Sequence, residues 1–175
     1  MKIFLVLLAL IVGSKSYADI SLTDIGLNSE PQVQDIKLKK ILEERHEKLK
    51  THEILGLGTW ALMTATMLTG GSAMDSNLHM YLGMATGAMY AATAFYSLSA
   101  PKPGSIKDKG RMKWHKRLAW VHLPLMVLVP YLGYMYKKHE EDGKKHSGLE
   151  KQHSAFAGAL YGSFTISAAL MVIEF

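Results

Sequence analysis

Four histidines in this chain share one local signature. They are His52-Glu-Ile-Leu-Gly56, His79-Met-Tyr-Leu-Gly83, His115-Lys-Arg-Leu-Ala119 and His153-Ser-Ala-Phe-Ala157. Each lies near the start of an apolar stretch. Each has a small residue four positions on: Gly56, Gly83, Ala119 or Ala157. On a helix, positions i and i+4 share a face. The helix beside each imidazole is therefore almost bare, which is the clearance a flat, bulky ligand needs. Imidazole is also a common iron ligand. Four such units in four consecutive apolar segments predict axial ligands for two b-type haems, two histidines to each iron. The small residues have a second reading, because glycine also marks close helix contacts in lipid.

The elements that must carry these histidines are four apolar segments, at about 52–70, 78–98, 113–136 and 153–173. Each holds about 20 residues, which at about 1.5 Å per residue crosses a hydrocarbon core of about 30 Å. Trp114 and Trp120 near the start of the third segment, and Tyr131, Tyr134 and Tyr136 near its end, suit the two membrane interfaces. Pro124 and Pro130 predict a kink in that segment. Continuous apolar runs of this length exclude a β-barrel. The expected fold is an all-α membrane protein, a four-helix transmembrane bundle over 52–175.

Successive spans run in opposite directions. The starts of the first and third share one side, and the starts of the second and fourth share the other. That pairs His52 with His115 and His79 with His153. His122 competes for a place in the first pair. It lies seven residues after His115 on nearly the same face, about 10 Å deeper. Its i+4 neighbour is Met126, which leaves less room than a glycine or alanine, so His115 is favoured and His122 stays an alternative metal ligand. His122 could also serve as a hydrogen-bonding residue, to a haem propionate or to Trp60. Lys116 and Arg117, with Lys113, flank the first pair and suit haem propionates. Lys151 and Lys144 flank the second. All of these cations are equally suited to lipid head groups.

Composition narrows the chemistry. Of 175 residues, 49% are hydrophobic, and they are gathered in blocks between polar stretches at 19–51, 99–117 and 137–153. There is no cysteine. That excludes thiolate ligands and covalent c-type haem, so a haem would be held by ligation and packing alone. The net charge of +5 falls largely beside the apolar segments, where lysine and arginine meet anionic lipid. Nothing in it calls for nucleic acid.

The amino terminus reads as an export signal over 1–18. Lys2 precedes an apolar core from Ile3 to Val12, followed by Ser16-Tyr17-Ala18. Residues 19–36 form a polar tail. From Asp35 to Lys50 the pattern predicts an amphipathic helix on the membrane surface leading into the first span. Cleavage after Ala18 puts the first histidine pair outside the cell and the second toward the cytoplasm. The cationic segment 102–117 then also lies outside, against the positive-inside tendency.

With these residues in place the chain resembles the cytochrome b561 family, in particular the core that follows DOMON domains. The likeness covers about 50–175. It rests on His52 with Trp60 eight residues on, on Leu78-His79, on His115-Lys-Arg-Leu-Ala119 for the family's His-Arg-x-x-Gly, and on His153 shortly before Gly158. The resemblance implies two haems b, held between the first and third and between the second and fourth helices. It brings no clear ascorbate-binding pattern.

The expected function is a dihaem b-type cytochrome in the cell inner (cytoplasmic) membrane, carrying electrons between the two faces. Its partners would be membrane lipid and a redox protein, or a quinol or other small-molecule donor and acceptor. A homodimer is compatible with the sequence. Two alternatives follow from the same residues. One is a single-haem anchor subunit that docks a separate redox protein. The other is a haem-free metal-binding membrane protein, suggested by Met63, Met67, Met80, Met84 and Met89.

Overall fold

The computed structural model describes residues 33–70, 76–104, 110–143 and 148–172. The expected signal segment and most of the polar tail lie outside the described residues. Among the described residues there are four helices and no strand: α1 Val33–Leu68, α2 Ser76–Ser99, α3 Gly110–Glu141 and α4 Leu149–Val172.

The helix expected on the membrane surface is not a separate element. It is the first half of α1, one helix of 36 residues. No glycine or proline falls between Val33 and Leu55 to interrupt it, so nothing in the backbone favours a bend there. Two i,i+4 pairs line it, the exposed Lys39–Glu43 at 3.9 Å and Glu44 with the half-buried Lys48 at 2.9 Å. Each is worth a few tenths of a kcal/mol at most. A firmer tie comes from the neighbouring helix end. Lys48 Nζ donates to the Ser99 carbonyl at 2.9 Å, and Arg45 Nη1 to the Pro101 carbonyl at 2.7 Å. Cations at the last carbonyls of α2 complement its dipole. They also hold the first half of α1 against the end of α2.

α1 packs along α2, and α3 along α4; contact between these two hairpins is sparse. Threonines close the seam of the first hairpin. Thr59 and Thr93 hydroxyls lie 3.1 Å apart, as do those of Thr66 and Thr86. Each hydroxyl also reaches the carbonyl four residues back, at 2.7–2.8 Å. These polar groups are therefore satisfied inside the bundle. The core between the hairpins is small: Trp60, Met63, Tyr90, Met126, Val129, Leu160 and Phe164.

Two helices, α3 and α4, are long and apolar enough to cross a membrane. Only 22% and 17% of their most apolar windows are buried. The core helix of a soluble protein would hide that surface. Here Trp120 and Val127 are 77% and 73% exposed. α1 and α2 also turn large apolar groups outward, among them Ile54, Tyr81, Met84, Phe95 and Leu98. Their hydropathy is lowered by glycine and by the threonines of the seam. α3 runs unbroken through Pro124 and Pro130. Each proline removes one backbone N–H from the helix ladder.

Candidate functional site

The helices bring the four histidines together in two pairs. His52 and His115 have ring centroids 6.0 Å apart, and so do His79 and His153. The interplanar angles are 86° and 79°. Each pair draws one histidine from each hairpin, so the rings face one another across the sparse interface.

Every one of these rings is oriented in the same way. His52 Nδ1 lies 2.8 Å from the Thr93 carbonyl, and His79 Nδ1 lies 3.0 Å from that of Thr66. His115 Nδ1 lies 3.1 Å from the Ser167 carbonyl, with the Ser167 hydroxyl 2.9 Å away. His153 Nδ1 lies 3.0 Å from the Val129 carbonyl. A carbonyl oxygen can only accept, so Nδ1–H donates and the lone pair is left on Nε2. A metal-binding histidine is oriented in this way. The exchange is reciprocal within each hairpin: α1 and α2 hold each other's histidines, and so do α3 and α4.

The register repeats four times. On every helix, the carbonyl that holds the neighbour's histidine lies fourteen positions after that helix's own histidine: 52 and 66, 79 and 93, 115 and 129, 153 and 167. Fourteen residues are close to four turns, about 21 Å. The histidines and carbonyls therefore form two layers about that far apart along the bundle. One layer holds His52 and His115, the other His79 and His153. Between the layers, the hairpins meet in a waist. Trp60 Nε1 donates to Thr165 Oγ1 at 3.1 Å, and the Thr64 and Tyr161 hydroxyls lie 3.1 Å apart.

Among the described residues, no group of three or more histidine, aspartate or glutamate side chains could hold a metal ion. The donors come in pairs. A pair suits a metal whose remaining ligands are supplied by a macrocycle. A metal–imidazole bond is about 2 Å long, so each pair, with ring centroids 6.0 Å apart, could supply two imidazoles to one such metal.

The other expected site residues are distributed as follows. A Cβ on Gly56 would meet Thr93 Cγ2 at 3.7 Å, and one on Gly83 would meet Thr66 Cγ2 at 3.8 Å, both ordinary contacts in the seam of the first hairpin. Ala119 and Ala157 are partly buried, and Ala157 packs on the core. Lys116 and Arg117 are exposed, with the Arg117 guanidinium 4.9 Å above the Trp114 ring. His122 is not at the first pair. It is buried at the waist, with Nδ1 3.0 Å from the Tyr90 hydroxyl.

Two glycines missing from the sequence reading stand closest to the histidines. A Cβ on Gly70 would lie 3.2 Å from His79 Cε1, and one on Gly133 would lie 3.0 Å from His153 Cε1. Each follows the accepting carbonyl, Thr66 or Val129, by four residues, Gly133 within α3 and Gly70 just past the end of α1, and leaves space where the ring enters. A longer sequence repeat also exists. α1 and α2 both read His-x3-Gly-x2-Thr-x6-Thr, as His52, Gly56, Thr59, Thr66 and as His79, Gly83, Thr86, Thr93. No protein family, curated protein or solved structure matches the chain.

Proposed function

We propose that the chain is a dihaem b-type cytochrome of a cell membrane, with all four helices crossing the bilayer. The observation that carries this reading is the doubled histidine pair: two layers, each with imidazoles 6.0 Å apart and each ring held through Nδ1 by a backbone carbonyl. His52 and His115 would hold one haem, His79 and His153 the other. Each bound iron would take up and release one electron, so two layers give a path from one face to the other. The chain's own groups orient the ligands through Nδ1 and leave Nε2 of each for the metal. The outward apolar surface and the satisfied threonines support four spans.

The decisive measurement is a reduced-minus-oxidised spectrum of the purified protein, with haem counted per chain. Two haems b per chain are expected. One per chain would favour the anchor-subunit alternative, and none would end the haem reading.

Crowding a ligand should be selective. Gly133→Ala puts a methyl group against the ring of His153, at 3.0 Å from Cε1 and 3.3 Å from Nδ1. Disturbing the bond that orients a metal-binding histidine costs about 10–100-fold in affinity. Haem titration of the apoprotein should show a loss of that order at the second layer alone. Gly158→Ala and Gly162→Ala, where a Cβ meets nothing within 4 Å, should titrate as the parent does. Equal loss in all three variants would show that Gly133 acts on packing and not on His153.

A further inference from the structure

His122 is the intramembrane histidine that the two haem sites leave over. It is 6% exposed. It lies seven residues after His115 and seven before Val129, so it is about 10 Å along the bundle from each histidine layer. Its ring stands edge-on to Tyr90 and Phe164, at centroid distances of 5.7 and 5.1 Å. Nδ1 is paired with the Tyr90 hydroxyl, but Nε2 is buried without a hydrogen-bond partner. A buried polar atom left in that state is costly. Leucine occupies the equivalent place on α4, at Leu160, seven residues after His153, and it packs there without that cost. Packing therefore does not account for a histidine at this position.

We propose that His122 is a proton site coupled to the redox state of both haem layers, an inference that rests on the haem reading above. When a one-electron donor reduces either layer, His122 binds a solvent proton more tightly, and the fraction of a proton taken up forms an N–H bond. The product is an imidazolium whose Nδ1–H donates to the Tyr90 oxygen and whose Nε2 carries the second proton. Both neutral tautomers lead to this species, because the Tyr90 hydroxyl can donate to Nδ1 or accept from it. The electron's negative charge and the imidazolium's positive charge then offset each other inside the bundle. At about 10 Å and an effective dielectric near 20, one added electron raises the proton affinity of such a site on the order of tenfold.

The surroundings leave His122 as the group to respond. Tyr90 faces it from α2, and Phe164, which cannot titrate, faces it from α4. The layer histidines of α1 and α3, His52 and His115, are held through their Nδ1 atoms by the Thr93 and Ser167 carbonyls. Glu53, midway along α1, and Lys116 and Arg117, in the second turn of α3, sit beside the first histidine layer and are exposed. No aspartate, glutamate, lysine or arginine falls within 80–92, 118–128 or 154–166, the parts of α2, α3 and α4 between the layers.

The test compares the parent with His122→Gln, which can keep a bond to Tyr90 but cannot take the proton, and with His122→Phe in case glutamine destabilises the bundle. Haem per chain is counted first. Midpoint potentials are then titrated across pH, and proton uptake is followed on reduction in weakly buffered detergent solution. The parent is expected to take up protons on reduction and to show potentials that fall as pH rises. Either variant should bind two haems, take up fewer protons and show a flatter pH dependence. Two haems with parent-like uptake and slope in a variant would overturn the proton site and leave the cytochrome reading standing. A parent chain that binds no haem would overturn both.

Discussion

His79→Ala and His153→Ala are each expected to remove one of two haems and to spare the other. His52→Ala and His115→Ala should remove the complementary one. The rings of each pair are 6.0 Å apart and belong to different hairpins, so each haem loses one of its two protein bonds when either partner goes. Loss of a direct ligand should exceed the roughly 10–100-fold cost of losing a group that only orients one. Double variants sharpen the result, because residues that act on one site do not add. His79→Ala with His153→Ala breaks one layer and should lose no more haem than either single change. His52→Ala with His79→Ala lies within one hairpin, breaks both layers, and should leave none. Haem per chain and the spectrum of the remaining centre decide the matter. A single variant that kept both haems and an unchanged spectrum would show that the pairs are contacts and not ligand sets.

The pairing was legible because it depends on little beyond helix count and direction. His52, His79, His115 and His153 each open an apolar segment, and an up-down bundle leaves one arrangement of them. The carbonyls that hold the rings were not legible. They are backbone atoms, so the residues that supply them are free to be Thr66, Thr93, Val129 and Ser167. Gly70 and Gly133 were missed for a related reason: they follow the carbonyl that receives the histidine, Gly133 within α3 and Gly70 just past the end of α1, and not the histidine itself. The i+4 glycines that drew attention, Gly56 and Gly83, face threonines across a helix seam. The repeated threonines at seven and fourteen positions after His52 and His79 were the available signal. The continuous α1 was obscured by composition. Its charged half at 33–50 and its apolar half read as two elements, yet no residue between them breaks the helix.

Sealed vesicles containing the protein and a trapped reductant are expected to reduce an external dye that cannot cross the bilayer. His52→Ala and His79→Ala vesicles should both fall to the rate of protein-free vesicles. The argument is one of distance. The two histidine layers are about four turns, or about 21 Å, apart. Centred in a hydrocarbon core of about 30 Å, each layer would lie roughly 5 Å inside the boundary. Each would then be within reach of a donor or acceptor on its own face and too far from the opposite one to serve it. The residues just beyond the layers fit that placement, since Lys113 at one end and Glu150 and Lys151 at the other are exposed. Transfer across the bilayer therefore needs both pairs intact, while reduction of a permeant dye, or of the haem on the reductant's own side, needs only one. Parent-like rates with the impermeant dye in His79→Ala vesicles would mean that a single layer suffices. The chain would then act at one face as an anchor for a separate redox protein, and the second histidine pair would need another explanation.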